Sequence, residues 1–432
     1  MILNKFIICF RSKKISSALY DIYLVAIGFL LCQNIIVPIK IGNTPFNLLI
    51  FLLIPFIFYK VFLYRQNFVF FFKKIPIAFY FFVITIIISI IPALFMISVV
   101  KDISPFFKGV IFYFLSAILP LFLGIISNKK EKERLFFGLF IGFIMNTLVS
   151  IIVYLAFNVF GYTFTFTSLF KNDSFFEPNY FSSAQGLFLE PSHLAGFFLM
   201  SFYLLFWFYK EKIVRIMLFS SSWIVFILYG FGNLPIFILS QVVFIITMYG
   251  KKIIEEKVFI SQKRKIFFSI AILVIAVGTV LIIIFPLQSA IKKIIYEFNP
   301  FSNANQDRMN SLVVGLNVFL KNPFGVGFNL SGYAIDVYYG EVVTTATTHS
   351  FLLKVLIEQG ILGVIALFYL IYSLIIGLRN KEQSSLLIIS LLSSILFSFL
   401  NGPTEPYLFF LIGIICSISE YRDSLFFIKN TQ

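Results

Sequence analysis

The stretch from Pro76 to Val100 reads PIAFYFFVITIIISIIPALFMISVV, with no charged side chain between Lys74 and Lys101. Crossing the hydrocarbon core of a bilayer takes about 20 apolar residues, so this run is long enough to span. Its backbone amides must then pair within the segment, because lipid offers no partner, and a helix does this where an open strand cannot. Comparable runs recur along the 432 residues, separated by short connections that are basic or carry Pro, Gly and Asn. About twelve spans are expected, near 18–36, 44–64, 76–100, 105–126, 135–160, 193–209, 213–230, 234–250, 266–286, 349–378, 384–400 and 405–420. The alternating pattern of a membrane barrel is absent.

Composition agrees. The chain is 60% hydrophobic and 12% charged, with a mean hydropathy of +0.98. A soluble domain carries roughly 25% charged residues, so a water-soluble fold is excluded. The expected class is an all-α polytopic membrane protein, with residues 1–432 forming one integral domain.

Orientation follows from the basic residues, which concentrate on the cytoplasmic side. The N-terminus, alternate connections (around Lys60 to Lys74, Lys129 to Arg134, Lys210 to Arg215, Lys251 to Lys265 and Arg379 to Lys381) and the C-terminus together hold 25 of the 34 Lys and Arg. Both termini are therefore expected to be cytoplasmic, with external loops at 161–192 and 287–348. The net charge of +15 is accounted for by this topology and by anionic inner-leaflet lipid, and argues for no nucleic-acid partner. The first span has no cleavage site after it and reads as an uncleaved anchor. Cys9, Cys32 and Cys416 are too few and too scattered for a disulfide framework or a metal site. The two halves show no common repeat, which weakens an inverted-repeat transporter.

The polar chemistry lies in the two external loops. Gly186 to Phe198 reads GLFLEPSHLAGFF. Pro191 suits the first turn of a helix, placing Glu190 near the cap and Ser192 and His193 in the opening turn. That span runs inward, so its amino end, with free amides and partial positive charge, faces out and favours an anion. His349 follows TTATT (344–348) and opens another inward-running span. Both histidines of the chain thus stand at outward-facing helix starts. The plain alternative is an interfacial histidine hydrated by water.

Within the long loop, Met309, Leu312, Val313, Leu316, Phe319 and Leu320 recur at helical spacing, predicting an amphipathic helix over 306–320 that lies on the bilayer surface. Asn322-Pro323 should end it, before a turn at Gly325 and Gly327. Arg308, in its first turn, either grips phosphate through its planar fork or pairs with Asp307 or water. Lys354 and Glu358 are spaced to pair along one helix face. Gly360 and Gly363 can bend that segment, so that a short leading helix precedes the span proper.

EPSHLAGFF, the long loop holding Arg308 and LNVFLKNPFGVGFN, and HSFLLKVLIEQGILG at the later span together resemble the bacterial Wzy-type O-antigen polymerase and O-antigen ligase superfamily. The resemblance covers the whole topology but about 60 residues in recognisable motifs. It implies a multi-spanning, GT-C-like glycosyltransferase in the bacterial cytoplasmic (inner) membrane. Such an enzyme transfers a growing glycan from undecaprenyl diphosphate to the next lipid-linked repeat unit at the outer face, with no cofactor, metal or nucleotide sugar. The chain independently has no Asp-x-Asp pair for a metal-bound nucleotide sugar.

By that resemblance Arg308 clamps the donor diphosphate, aided by Ser192 and Ser350. Glu190, His193 and His349 are the catalytic candidates, and Glu358, Gly360, Gly325 and Gly327 support the site. Ser350 stands where relatives carry Asn, and YGFGNLPIF (229–237) replaces the Ser-Arg pair of relatives, so no second phosphate-binding arginine is carried over there. Glu190 is favoured as the acceptor-side base, with His349 as a diphosphate or base contact. Implied partners are lipid-linked glycans, membrane lipid, and a chain-length regulator and flippase as candidates. The competing readings are a ligase that delivers finished glycan to another acceptor, a flippase or ion-coupled transporter, and a structural scaffold. A transporter would place charges at mid-membrane depth, whereas here they gather at span ends.

Overall fold

The computed structural model describes residues 15–31, 36–41, 44–63, 72–100, 107, 110–111, 114–160, 191–229, 237–244, 303–339, 350–379, 384–401 and 407–419. The expected span at 266–286 and most of 161–192 lie outside these residues. In chain order the elements are α1 (Ile15–Leu30), β1 (Ile36–Ile41), β2 (Thr44–Asn47), α2 (Leu48–Leu63), α3 (Ile77–Ile88), α4 (Ile90–Val100), a π-helical turn (Phe114–Ile118) running into α5 (Leu119–Ile126), α6 (Lys129–Phe160), α7 (Pro191–Phe208) and α8 (Lys212–Tyr229). A short helical stretch at 237–244 follows. Then come α9 (Asn303–Lys321), α10 (Ser331–Tyr339), α11 (Phe351–Leu378), α12 (Ser384–Asn401) and α13 (Tyr407–Ile418).

The described residues are helical apart from one antiparallel hairpin, in which Ile36 faces Asn47 and Val37 faces Phe46. This corrects the spans expected at 18–36 and 44–64, since α1 stops at Leu30 and α2 starts at Leu48. Pro38 and Pro45 explain it, because a proline inside a helix removes an amide donor and clashes with the preceding turn. Among the described residues three helical stretches are long and apolar enough to cross a membrane, Ile77–Phe95 (α3 running into α4), Lys129–Val153 and Phe351–Leu378, and the other apolar helices are shorter.

The outer surface is greasy. Phe58, Phe62, Phe95 and Ile213 are each more than 70% exposed, which suits a lipid environment and would be an aggregation hazard in water. Inside, helices approach to backbone contact at small residues, as in membrane bundles. A Cβ on Gly28 of α1 would lie 2.1 Å from Leu135 O of α6, and one on Gly124 of α5 2.7 Å from the backbone of Gly413 in α13.

One end of the bundle is tied by charge. Lys60 pairs with Glu131 at 2.5 Å, and Tyr20 donates to the same carboxylate oxygen at 2.8 Å. Arg134 meets Asp21 at 3.4 Å, and Lys132 donates to Ser417 at 2.6 Å. Glu131 and Asn128 also exchange side-chain to backbone bonds of 2.9 and 3.0 Å, a capping box that starts α6. The start of α1 and the ends of α2 and α13 thus gather around the start of α6. Nearby, burial holds the Lys74 ammonium below the ordinary lysine range. The end of α7 joins them through Phe208, stacked on Phe136 at 4.2 Å. Arg215 donates to the carbonyls of Tyr209 and Phe206 there, filling acceptors that a helix end leaves open.

The opposite end holds the starts of α7, α11 and α13. Phe198 packs on Phe143 deep along α6, and Phe197 meets Tyr407 at the start of α13. Thr85 near the end of α3 bonds Gln359, while Phe81 further back contacts Tyr369. So α11 runs antiparallel to α3.

Candidate functional site

The candidate site is built where α9, α10 and the start of α11 meet. The helix α9 begins at Asn303, slightly before the expected 306. Its predicted apolar stripe points away from the protein, with Leu312, Val313, Leu316 and Leu320 exposed. The opposite face, Ser311, Gly315 and Val318, is the buried one. A Cβ at Gly315 would lie 2.8 Å from a methyl of Leu353 and 3.0 Å from one of Ile357, so glycine lets α9 lie close along the start of α11. Val318, Val326, Ala334, Ile335, Leu353 and Ile357 form a small apolar core of their own beneath it.

Gly360 breaks α11. Its φ of 68° and ψ of −161° are non-helical, in a region that only glycine occupies without strain. The break leaves carbonyls unpaired before it and an amide unpaired after it. The turn after α9 fills them. Val326 N donates to Ile357 O at 2.8 Å and Gly327 N to Glu358 O at 3.0 Å, while Ile361 N donates to Pro323 O at 3.0 Å. The fit leaves no room for side chains: a Cβ on Gly325 would sit 2.4 Å from Glu358 O, and one on Gly360 2.3 Å from Pro323 O. NPFGVG and EQGILG are therefore two sides of one backbone joint.

The side chains at the joint are anchored outward. Glu358 is buried, at 2% exposure, and accepts 2.8 Å from the hydroxyl of Ser331, the first residue of α10. The expected pairing with Lys354 is not made among the described residues, because burial turns the carboxylate inward to α10. Thr85 donates to Gln359 Oε1 at 2.9 Å, sharing its proton with Phe82 O at 2.7 Å.

At the other end of the leading segment, Ser350 is the cap. Its side chain accepts from Leu353 N at 3.3 Å, so α11 opens at Phe351 and the threonines 344–348 lie outside the described residues. Capping uses a lone pair and leaves the Ser350 proton available as a donor.

The two segments run side by side in the same direction. Gly315 lies against Leu353 and Ile357, and Pro323, further along, meets Ile361. One turn back from Gly315 is Ser311, abreast of the start of α11. One turn earlier again is Arg308, in helical register with 311, 315 and 318. The structure thus gathers the Arg308 turn, Ser350, Glu358, Gly325, Gly327 and Gly360 into one assembly. Ser192 and His193 fall in the first turn of α7, which begins at Pro191 as its sequence implies. Glu190 and His349 lie outside the described residues. Among those described, no group of three or more His, Cys, Asp or Glu side chains could hold a metal ion.

Sequence reasoning missed α10, Ser331 and Thr85. The partners of Ser331 and Thr85 lie 27 and 274 residues away, beyond the reach of any local pattern.

Residues 236–368 match the family model Wzy_C, O-antigen ligase. The matched segment takes in α9, the glycine turn, α10 and α11 through its break to Phe368. It is consistent with the Wzy and O-antigen ligase superfamily that the motifs resemble, whose members are glycosyltransferase-like enzymes. None of the curated proteins matches the chain.

Proposed function

We propose that the chain is a polymerase of lipid-linked oligosaccharide repeat units. It moves the growing glycan from undecaprenyl diphosphate to the next repeat unit at the outer face of the bacterial cytoplasmic membrane. The transferase part of this reading is supported by the family match over the α9–turn–α11 joint, and EPSHLAGFF (190–198) is what tilts it toward a polymerase.

In the reaction, the bond between the anomeric carbon and the diphosphate oxygen breaks, and an acceptor hydroxyl oxygen takes its place on that carbon. Negative charge grows on the departing diphosphate, so catalysis needs a cation and oriented donors there. The Arg308 fork, the amides of Phe351 and Leu352 that open α11 and the Ser350 hydroxyl supply them. The acceptor proton passes to a base, assigned to Glu190, with His349 as the second candidate and His193 as the third. The exposed stripe of α9 rests on the membrane surface and keeps the site at headgroup depth.

Twelve spans with both termini cytoplasmic complete the reading. It is supported by the gathering of basic helix ends around Glu131, away from the joint. Purified protein given lipid-linked repeat units should yield a ladder of longer glycans. Transfer to a different acceptor instead would mean a ligase, the reading favoured by the description of the matched family. No covalent product at all would refute both.

A further inference from the structure

Ser311 is 3% exposed, and among the described residues its hydroxyl has no hydrogen-bond partner. A serine within a helix ordinarily donates to the carbonyl one turn back, as Ser201, Ser394 and Ser398 do here. Burying a hydroxyl without a partner costs stability, so such a group calls for an explanation. Ser311 sits on the face of α9 that packs along α11, one turn before Gly315. That register sets it abreast of Phe351, the first residue of α11, and one turn after Arg308. It therefore borders the same corner as the Ser350 cap and the opening amides of α11.

We propose that Ser311 is a substrate contact, donating its hydroxyl to an oxygen of a lipid diphosphate held between the Arg308 turn and the amino end of α11. The proposal rests on the transferase reading and names a residue that binds the group leaving in that reaction. The chemistry is matched. Opening amides, a capping hydroxyl with its proton to spare and an unpaired buried hydroxyl are all donors, which suit a polyanionic acceptor. Ser311 and Ser350 then flank the anion from two different helices, so it is gripped across the seam that Gly315 closes.

The experiment compares wild type, Ser311→Ala and Ser311→Thr as full-length protein in nanodiscs. Three quantities are read: thermal midpoint, affinity for undecaprenyl diphosphate bearing no glycan, and KM for a glycan-bearing donor. A hydroxyl that only fills space loses nothing on removal, and Ser311→Ala should melt at or above the wild-type temperature. If it binds diphosphate, the same variant should lose affinity about tenfold to a hundredfold, the worth of one hydrogen bond to a charged oxygen, with KM rising in step. Ser311→Thr should recover part of it. Unchanged affinity in Ser311→Ala overturns the proposal, as does a loss of binding that merely tracks a fall in melting temperature. If wild type binds the lipid diphosphate through Ser311 yet elongates no glycan, the contact stands and the transferase reading falls. If wild type does not bind it, both fall.

Discussion

Replacing Gly360 by alanine tests the joint most directly. At φ 68° and ψ −161° an alanine is strained by about 1–3 kcal/mol. Its Cβ would also stand 2.3 Å from Pro323 O and 2.5 Å from Phe324 C, both backbone atoms that cannot swing aside as a side chain does. Relief requires the turn 322–330 to withdraw, forfeiting the Val326–Ile357, Gly327–Glu358 and Ile361–Pro323 bonds, each worth about 1 kcal/mol. Strain and clash together outweigh these bonds, so the turn withdraws and the fold loses about 3 kcal/mol, the worth of the three bonds, or roughly a hundredfold. This is smaller than the stability of most folded proteins, about 5–15 kcal/mol, so the bundle should persist while the joint opens. Hydrogen exchange over 322–330 and 351–361 should accelerate about a hundredfold or more, exchange in α6 should stay unchanged, and glycan elongation should drop to background. Gly315→Ala, whose new methyl meets only the ends of Leu353 and Ile357, should cost far less. Wild-type exchange and elongation in Gly360→Ala would refute the reasoning.

Other expectations follow from the same geometry. Arg308→Lys replaces a planar fork with a point charge, and elongation by purified protein should fall at least tenfold with the melting temperature unchanged. Ser350→Ala removes the cap of α11 at a cost of about 1 kcal/mol and also removes a donor, whereas Ser350→Asn keeps a capping group; donor KM and melting should both report this order. Lys60→Met leaves Glu131 without its cation and should destabilise by about 3–5 kcal/mol in thermal unfolding. The double change Lys60→Met with Glu131→Leu should recover much of that loss, because removing both charges removes the uncompensated one. Ser331→Ala should slow elongation and loosen exchange over 351–361, and should be non-additive with Glu358→Gln, since the two residues share one bond.

The helical, apolar character of the chain was the most legible part of the fold, because hydropathy over 20 residues is a bulk property that single substitutions barely move. Pro191 as a helix start, the end of α9 before Pro323 and the break at Gly360 were legible for a local reason: proline and glycine act on their own backbone. The hairpin at 36–47 was hidden because Ile, Val and Phe serve a strand as well as a span, and only Pro38 and Pro45 told against a helix. Partners across the bundle could not be read. Spacing along α11 suggests Lys354 for Glu358, whereas burial assigns Ser331. Lys60 and Glu131 look like solvated loop charges in sequence and are a buried pair in the fold. The amphipathic helix was found from its outward stripe, while the face toward α11 consists of a serine, a glycine and a valine, which no hydrophobic periodicity singles out.

The joint at Gly360 also bears on how the protein is made. A straight helix of 28 residues is about 42 Å long, more than a hydrocarbon core of about 30 Å needs, so the nascent chain must be dissuaded from that rod. The mould that dissuades it is synthesised first. Residues 322–330 leave the ribosome roughly 30 residues ahead of 351–361, a lead of a few seconds at about 5–20 residues per second. The later segment thus arrives with donors and an acceptor already waiting to replace the bonds it gives up. Gene order here works as an assembly instruction, and a permuted chain with 303–339 placed after 351–378 would deliver the rod before its mould.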